Sequence, residues 1–375
     1  MATARSGGPL ATAWTYFPLK THSTLLNLLL LAVPVALGLH FAHAQPLIVF
    51  IAAAAAIVPL AGVLGEATEK LSAHSGPLIG GFLNATMGNA TELIIAFFAL
   101  RAGHIEVVKA SLSGSIIGNL LLVLGLALLV GGIGRQKQSF SRTAAGVNST
   151  MLFIAVAGLV LPAVFDLAVY GTLSAQNETI QRLSLWTSAV LILIYFISFI
   201  FVMKTHKALF VAEHAPGDDA AKGSVKSAVI SLVVATAFIG WIAEIMVGEI
   251  EAVTQSLGMT ELFIGVIVVA IVGNAAEHST AILVARKNQM DLAITIAVGS
   301  STQIALFVAP LLVFLSMAVG RPMSLVFNAF ELAAVALSVF IVEMISQDGE
   351  SNWFEGAMLL ALYVVIAICF YFVPA

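Results

Sequence analysis

Eleven runs of apolar residues, each long enough to cross a bilayer, alternate along this chain with short polar connections. A hydrocarbon core of about 30 Å takes about 20 apolar residues of helix. The runs fall near residues 23–41, 46–65, 76–101, 106–130, 143–165, 183–203, 226–249, 259–285, 290–318, 324–345 and 354–373. They are continuous, not alternating over segments of about ten residues, so the pattern predicts spanning helices and not a membrane β-barrel. The expected fold class is an all-α polytopic membrane protein with eleven transmembrane helices.

Two of the runs share an irregularity. "LNATMGNATELIIAFFAL" (83–100) places Glu92 inside apolar sequence, after a Gly-Asn pair that continues a helix poorly. "VVAIVGNAAEHSTAILVA" (268–285) repeats the arrangement with Glu277. At an offset of 185 residues Gly88 meets Gly273, Asn89 meets Asn274 and Glu92 meets Glu277. In the same register Arg101 meets Arg286, Gly114 meets Gly299, Ser115 meets Ser300, Gly80 meets Gly265 and Glu66 meets Glu251. One ungapped register across two helices reads as a gene duplication. Five runs lie in each copy, so the copies cross the membrane in opposite senses. The expected organisation is an N-terminal segment with the first span (1–45), a first five-helix repeat (46–203), a polar cytoplasmic linker (204–225) and a second, inverted five-helix repeat (226–375). Inverted repeats of this kind are the architecture of secondary transporters, with the binding site at mid-membrane where the halves meet.

Composition agrees with the pattern. Hydrophobic residues make up 60% of the chain and charged residues 10%, where soluble domains hold about a quarter charged residues. Lys and Arg accumulate on the cytoplasmic side of membrane proteins. With the amino terminus inside, Arg5, Lys20, Lys70, Arg135, Lys137, Arg142, Lys204, Lys207, Lys222, Lys226, Arg286 and Lys287 lie inside. Only Arg101, Lys109, Arg182 and Arg321 lie outside. The amino terminus is therefore expected in the cytoplasm and the carboxyl terminus outside. Residues 1–22 are polar and mixed, which predicts no cleavable signal peptide, and the compact ends suggest a prokaryotic plasma membrane. The lone Cys369 forms no intramolecular disulfide.

A charged side chain at the bilayer centre costs roughly 2.5–3.5 kcal/mol on insertion scales, so an intramembrane carboxylate is a functional hypothesis by default. Two facing carboxylates repel unless a cation or protons neutralise them. Gly88 and Gly273 weaken their helices by about 1 kcal/mol relative to Ala, and Asn89 and Asn274 compete for backbone hydrogen bonds. A break in each helix is expected there, freeing carbonyl oxygens into a cavity. The following spans add oxygens: Ser111, Ser115 and Asn119 recur every four residues on one helical face, and Ser300 and Gln303 lie three apart. Carboxylate, amide and main-chain oxygens suit a hard cation such as Ca2+; no Cys or His cluster suits a soft metal. Burial away from charge favours a protonated carboxyl, so protons and metal would compete for the same oxygens.

The segments "NATMGNATELIIAFFAL", "GSIIGNLLLVLG", "GNAAEHSTAILVARKNQMDLAI", "GSSTQIALFVAPLLV" and "DGESNWFEG" resemble the motifs of the cation/proton exchanger (CAX) family of Ca2+/H+ antiporters, in the calcium:cation antiporter superfamily. The resemblance covers all eleven spans. It implies that Glu92 and Glu277 are the exchanged-ion carboxylates and that Ca2+ leaves the cytoplasm as protons enter. Sodium-driven relatives carry an acidic residue where this chain has Gln303, which favours protons as the driving ion. The implied partners are Ca2+, possible other divalent cations, H+ and the lipid bilayer, with no cofactor and no nucleic acid.

Alternatives stand beside these readings. Gly114, Ser115, Gly299 and Ser300 equally suit close helix packing, and Asn119 and Gln303 suit interhelical hydrogen bonding. Glu69, Glu244 and Glu251 either line the ion path or face headgroup water; Glu331, in "FNAFELAAVAL", is a further costly carboxylate and a candidate for the ion path or for supporting the pair. His278 directly follows Glu277, about 100° round the helix, and is expected to face another helix as a structural residue. Glu213, Asp218 and Asp219 read as a solvated linker. A Na+/Ca2+ exchanger would use the same site with another driving ion, and a cation channel would use the carboxylates as a filter. An intramembrane enzyme is the third alternative, against which the spans hold no HExxH and no nucleophile-base pair.

Overall fold

In the computed structural model, residues 24–173, 177–206 and 224–374 are described. The apolar runs become helices because only a helix satisfies every backbone group within one segment in lipid. In chain order they are α1 (Thr24–Leu29), α2 (Ala32–Phe41), α3 (Pro46–His74), α4 (Gly76–Gly88), α5 (Ala90–Ala102), α6 (Ile105–Gly132) and α7 (Arg142–Tyr170). Then come α8 (Glu178–Thr205), α9 (Val225–Gly248), α10 (Ile250–Leu257), α11 (Glu261–Arg286), α12 (Met290–Ala318), α13 (Ala329–Ser346) and α14 (Trp353–Phe372). Among the described residues nine of these are long and apolar enough to span a membrane. The pair α4–α5, bent by 46°, forms a tenth candidate, and Asn27–Phe41 is a shorter apolar helix. The linker acids Glu213, Asp218 and Asp219 lie outside the described residues, as do Arg5, Lys20, Lys207 and Lys222.

Two boundaries depart from the sequence pattern for local reasons. The second span runs on to His74 because Glu66, Glu69 and Lys70 end the apolar run but form helix well, and Glu66 pairs with Lys70 at 3.9 Å. The tenth starts at Ala329, not 324. Asn328 and Glu331 form a reciprocal capping box there. Its approach, 323–327, is buried but not helical, with the Met323 and Leu325 amides donating to Ser316 Oγ (2.9 Å) and Ser184 Oγ (3.0 Å). The amphipathic α10 was hidden between two apolar runs. So were π turns at Gly118–Val123 in α6, Ile264–Val269 in α11 and Ile304–Val308 in α12.

Helices α6 and α12 form the centre: 78% and 67% of their apolar windows are buried, against 17% for the peripheral α8. α3 packs along α9, α5 against α9 and α11 against α3; α6 meets α13 and α14, while α12 meets α7 and α8. The connections gather at two ends. At one, Arg101 pairs with Glu244 (3.8 Å), His104 Nδ1 lies 2.8 Å from Glu261 Oε1, and Gly103 lies beside Arg321. At the other, β1 (Gln138–Ser139) pairs antiparallel with β2 (Glu350–Ser351). Lys137 bonds Glu350 (2.6 Å) and the Ser141 amide donates to Asp291 (2.6 Å).

Candidate cation-binding site

The helix break expected at Asn89 is present. Asn89 links α4 to α5 at φ −92° and ψ 13°, and its Nδ2 donates to Ala85 O at 3.2 Å. That carbonyl is the one an unbroken helix would offer to the amide of residue 89. Glu92 thereby falls in the first turn of α5, where the helix dipole favours negative charge.

The break expected at Gly273–Asn274 is absent: α11 runs as regular α-helix from Ala270 to Arg286. Asn274 Nδ2 makes the same contact, to Ala270 O at 2.9 Å, without bending the chain. The irregularity sits one turn upstream in the π turn Ile264–Val269, which already accommodates an extra residue in the helix.

Both glycines have a role other than weakening helices. A Cβ at Gly88 would lie 3.0 Å from Glu277 Oε1, and one at Gly273 would lie 3.0 Å from Glu92 Cγ. Each half's glycine makes room for the other half's carboxylate. Glu92 is 9% exposed. Both its carboxylate oxygens, and Oε2 of Glu277, are buried without a hydrogen-bond partner. Unpartnered carboxylate oxygens at this depth are costly.

The polar residues expected around the pair converge. Asn274 Nδ2 donates to Ser115 Oγ at 2.8 Å, and Asn119 Nδ2 donates to Asn274 Oδ1 at 3.4 Å and Ser300 Oγ at 3.2 Å. Ser300 Oγ donates to Asn89 Oδ1 at 3.4 Å, and Asn89 Nδ2 to Gln303 Oε1 at 2.5 Å. One chain of hydrogen bonds thus joins α6, α11, α12 and the α4–α5 junction. Ser111 and Ser115 line a small cavity with Glu92. Asn119 lies in one π turn and Gln303 immediately precedes another, and π turns recur at functional sites. His278 does face another helix, its Nε2 lying 3.2 Å from Asn119 Oδ1; it joins the network through that neighbour. Among the described residues no three His, Cys, Asp or Glu side chains converge; the groups that meet here are two carboxylates, amides and hydroxyls.

The remaining carboxylates stand apart. Glu69 is exposed, Glu244 pairs with Arg101 and Glu251 accepts from Gln255 Nε2 at 3.3 Å. Glu331 is 1% exposed and fully engaged, accepting from Ser113 Oγ (2.7 Å) and the Asn328 amide (3.0 Å). Ser113→Ala will strip one partner from that buried carboxyl and lower stability by about 1–3 kcal/mol. Thermal unfolding in detergent measures this, and an unchanged midpoint would show that the contact contributes nothing.

Helical spans, one of them bent sharply at its polar residue, and an oxygen-lined centre define an integral membrane protein with a buried polar core. The chain belongs to the sodium/calcium exchanger protein family, whose model matches residues 45–204 and 227–372. It is similar to a Ca2+/H+ antiporter of Aphanothece halophytica, at 45% identity over 92% of this chain and 96% of that one. The Ca2+/H+ antiporter ChaA of Bacillus subtilis is likewise 45% identical, over 88% of this chain and 93% of that one. Among solved structures, native YfkE superposes with a TM-score of 0.80 at 42% identity, covering 93% of this chain and all of that one (100%). The H+/Ca2+ exchanger CAX shares the fold, with a TM-score of 0.67 at 14% identity over 92% of this chain and 91% of that one.

Proposed function

We propose that this protein is a secondary antiporter that exports Ca2+ from the cytoplasm in exchange for H+, by alternating access at Glu92 and Glu277. The observation that carries the reading is that both Glu92 carboxylate oxygens and Glu277 Oε2 are buried without a partner, on two elements that each make room for the other's side chain. Ca2+ takes 6–8 oxygens at about 2.3–2.6 Å, and the surrounding amides and hydroxyls supplement the carboxylates. One Ca2+ or two protons neutralise the pair. The bare pair would carry two uncompensated charges through a low-dielectric centre, so the empty site changes sides only slowly. Exchange is then obligatory without a separate coupling device. The similarity to chains described as Ca2+/H+ antiporters supports the two ions, and Gln303, in place of an acid, supports protons over sodium.

The helix contacts support eleven spans in two inverted five-helix repeats, with α1 and α2 forming the extra first span. Under the 185-residue offset the α6–α14 contact maps onto α12–α8, α6–α13 onto α12–α7, and α5–α9 onto α11–α3; each is present. The two groups of connections match an amino terminus in the cytoplasm and a carboxyl terminus outside, with the β1–β2 end inside. Relatives from bacteria support a prokaryotic plasma membrane.

Inside-out vesicles with an acid interior test the reading. Ca2+ added without Na+ will collapse the pH gradient, and acidifying the external medium will raise the Ca2+ concentration needed for half-maximal response. Ca2+ uptake only into Na+-loaded vesicles, with the pH gradient intact, would give the Na+/Ca2+ exchanger, and Ca2+ flux that needs no counter-ion would give a channel.

A further inference from the structure

Gly299 is a glycine that this conformation does not require. Its backbone is ordinary helix, and a Cβ built there meets only Thr295 Cγ2 of its own helix, 4.0 Å away. At its repeat partner, Gly114, the opposite holds. A Cβ there would run into the main chain of Val266 in α11, whose Cα would be 2.6 Å away. Gly265, on the α11 side of that contact, is as tight: its Cβ would lie 2.9 Å from Val107 O of α6. Two glycines therefore hold α6 and the start of α11 too close for a methyl group, the use small residues have at membrane helix contacts.

The repeat partner of Gly265 is Gly80 of α4. Gly80 lies instead against α3, where its Cβ would be 3.2 Å from Ser72 Cα, and no atom of α4 comes within 4 Å of the Gly299 Cβ position. The sequence thus holds two copies of one glycine contact. In this structure the copy that joins α6 to α11 is closed, and the two sides of the other do not meet. Near the unmet copy Asn84 of α4 is exposed.

We infer that Gly299 is the surface on which α4 lands, through Gly80, in a second conformation that seals the α3–α4 side of the site while the Gly114–Gly265 contact opens. The inference rests on the antiport reading, which needs two access states. The methyl group of Gly299→Ala then fits the present conformation and obstructs the other.

The test uses full-length protein in proteoliposomes with Cys369→Ala and Asn84→Cys, read by exchange, by 45Ca2+ binding and by labelling with an impermeant maleimide from the α3–α4 side. Gly299→Ala will keep Ca2+ binding close to that of the parent, while exchange falls by at least about tenfold, the size expected for overpacking a closed contact. Labelling of Asn84→Cys will stay fast under conditions that slow it in the parent. Gly114→Ala will act in the opposite sense and slow labelling; should it fail to assemble, Gly299→Ala alone decides. Exchange at the parent rate in Gly299→Ala overturns the inference. So does loss of Ca2+ binding together with exchange, which would place Gly299 in service of Ser300. A parent protein that binds Ca2+ but shows no exchange overturns the antiport reading, and this inference with it.

Discussion

Glu92→Gln and Glu277→Gln will each lower Ca2+-driven proton exchange by at least about 100-fold, the upper end of what even indirect partners of a metal ligand cost when removed. Each substitution keeps the side chain's size and removes one of two charges that a divalent cation must balance. The same variants will be at least as stable as the parent in Ca2+-free detergent. The reason is that both Glu92 oxygens and Glu277 Oε2 are buried without partners, a state that costs about 1–3 kcal/mol or more per group. Stability given up to hold a functional group is the usual trade at such sites. If the carboxylates instead clamped helices together, the Gln variants would unfold earlier while retaining exchange. Melting temperature and vesicle exchange on the same preparations separate the two cases.

The spans were legible because lipid enforces one rule on every segment, and the candidate site was legible because the 185-residue register sets Glu92, Asn89, Ser115 and their partners apart from sequence that is otherwise apolar. What escaped was local geometry. Asn89 and Asn274 make the same side-chain contact to the carbonyl four residues back, yet only the first helix breaks, since the π turn upstream of Asn274 is written in residues that read as any apolar helix. The cross-facing of Gly88 on Glu277 and Gly273 on Glu92 depends on how two halves dock, which no local pattern encodes. For Glu331 a further signal was available in the sequence. Asn328 to Glu331 has the spacing of a helix-start capping box, and that signature explains both the buried carboxyl and the late start of α13.

Gln303→Glu will lower proton-coupled exchange in Na+-free medium by on the order of 100-fold. Gln303 Oε1 accepts from Asn89 Nδ2 at 2.5 Å, so a glutamate there keeps the acceptor and the fit while adding a third negative charge to the network. A bound Ca2+ balances two carboxylates and would leave this one uncompensated. A net charge at mid-membrane costs about 2.5–3.5 kcal/mol, and each 1.36 kcal/mol is a tenfold change in rate, which gives the size of the loss. A monovalent cation that entered with Ca2+ would restore neutrality, so Na+ will partly rescue the variant while leaving the parent unaffected. Ca2+ uptake into acid-loaded vesicles with and without Na+ reads both effects. Unimpaired exchange by Gln303→Glu without Na+ would mean that charge balance at the pair does not limit the crossing. Rescue by Na+ confined to the variant would locate the choice of driving ion in the count of carboxylates beside Asn89.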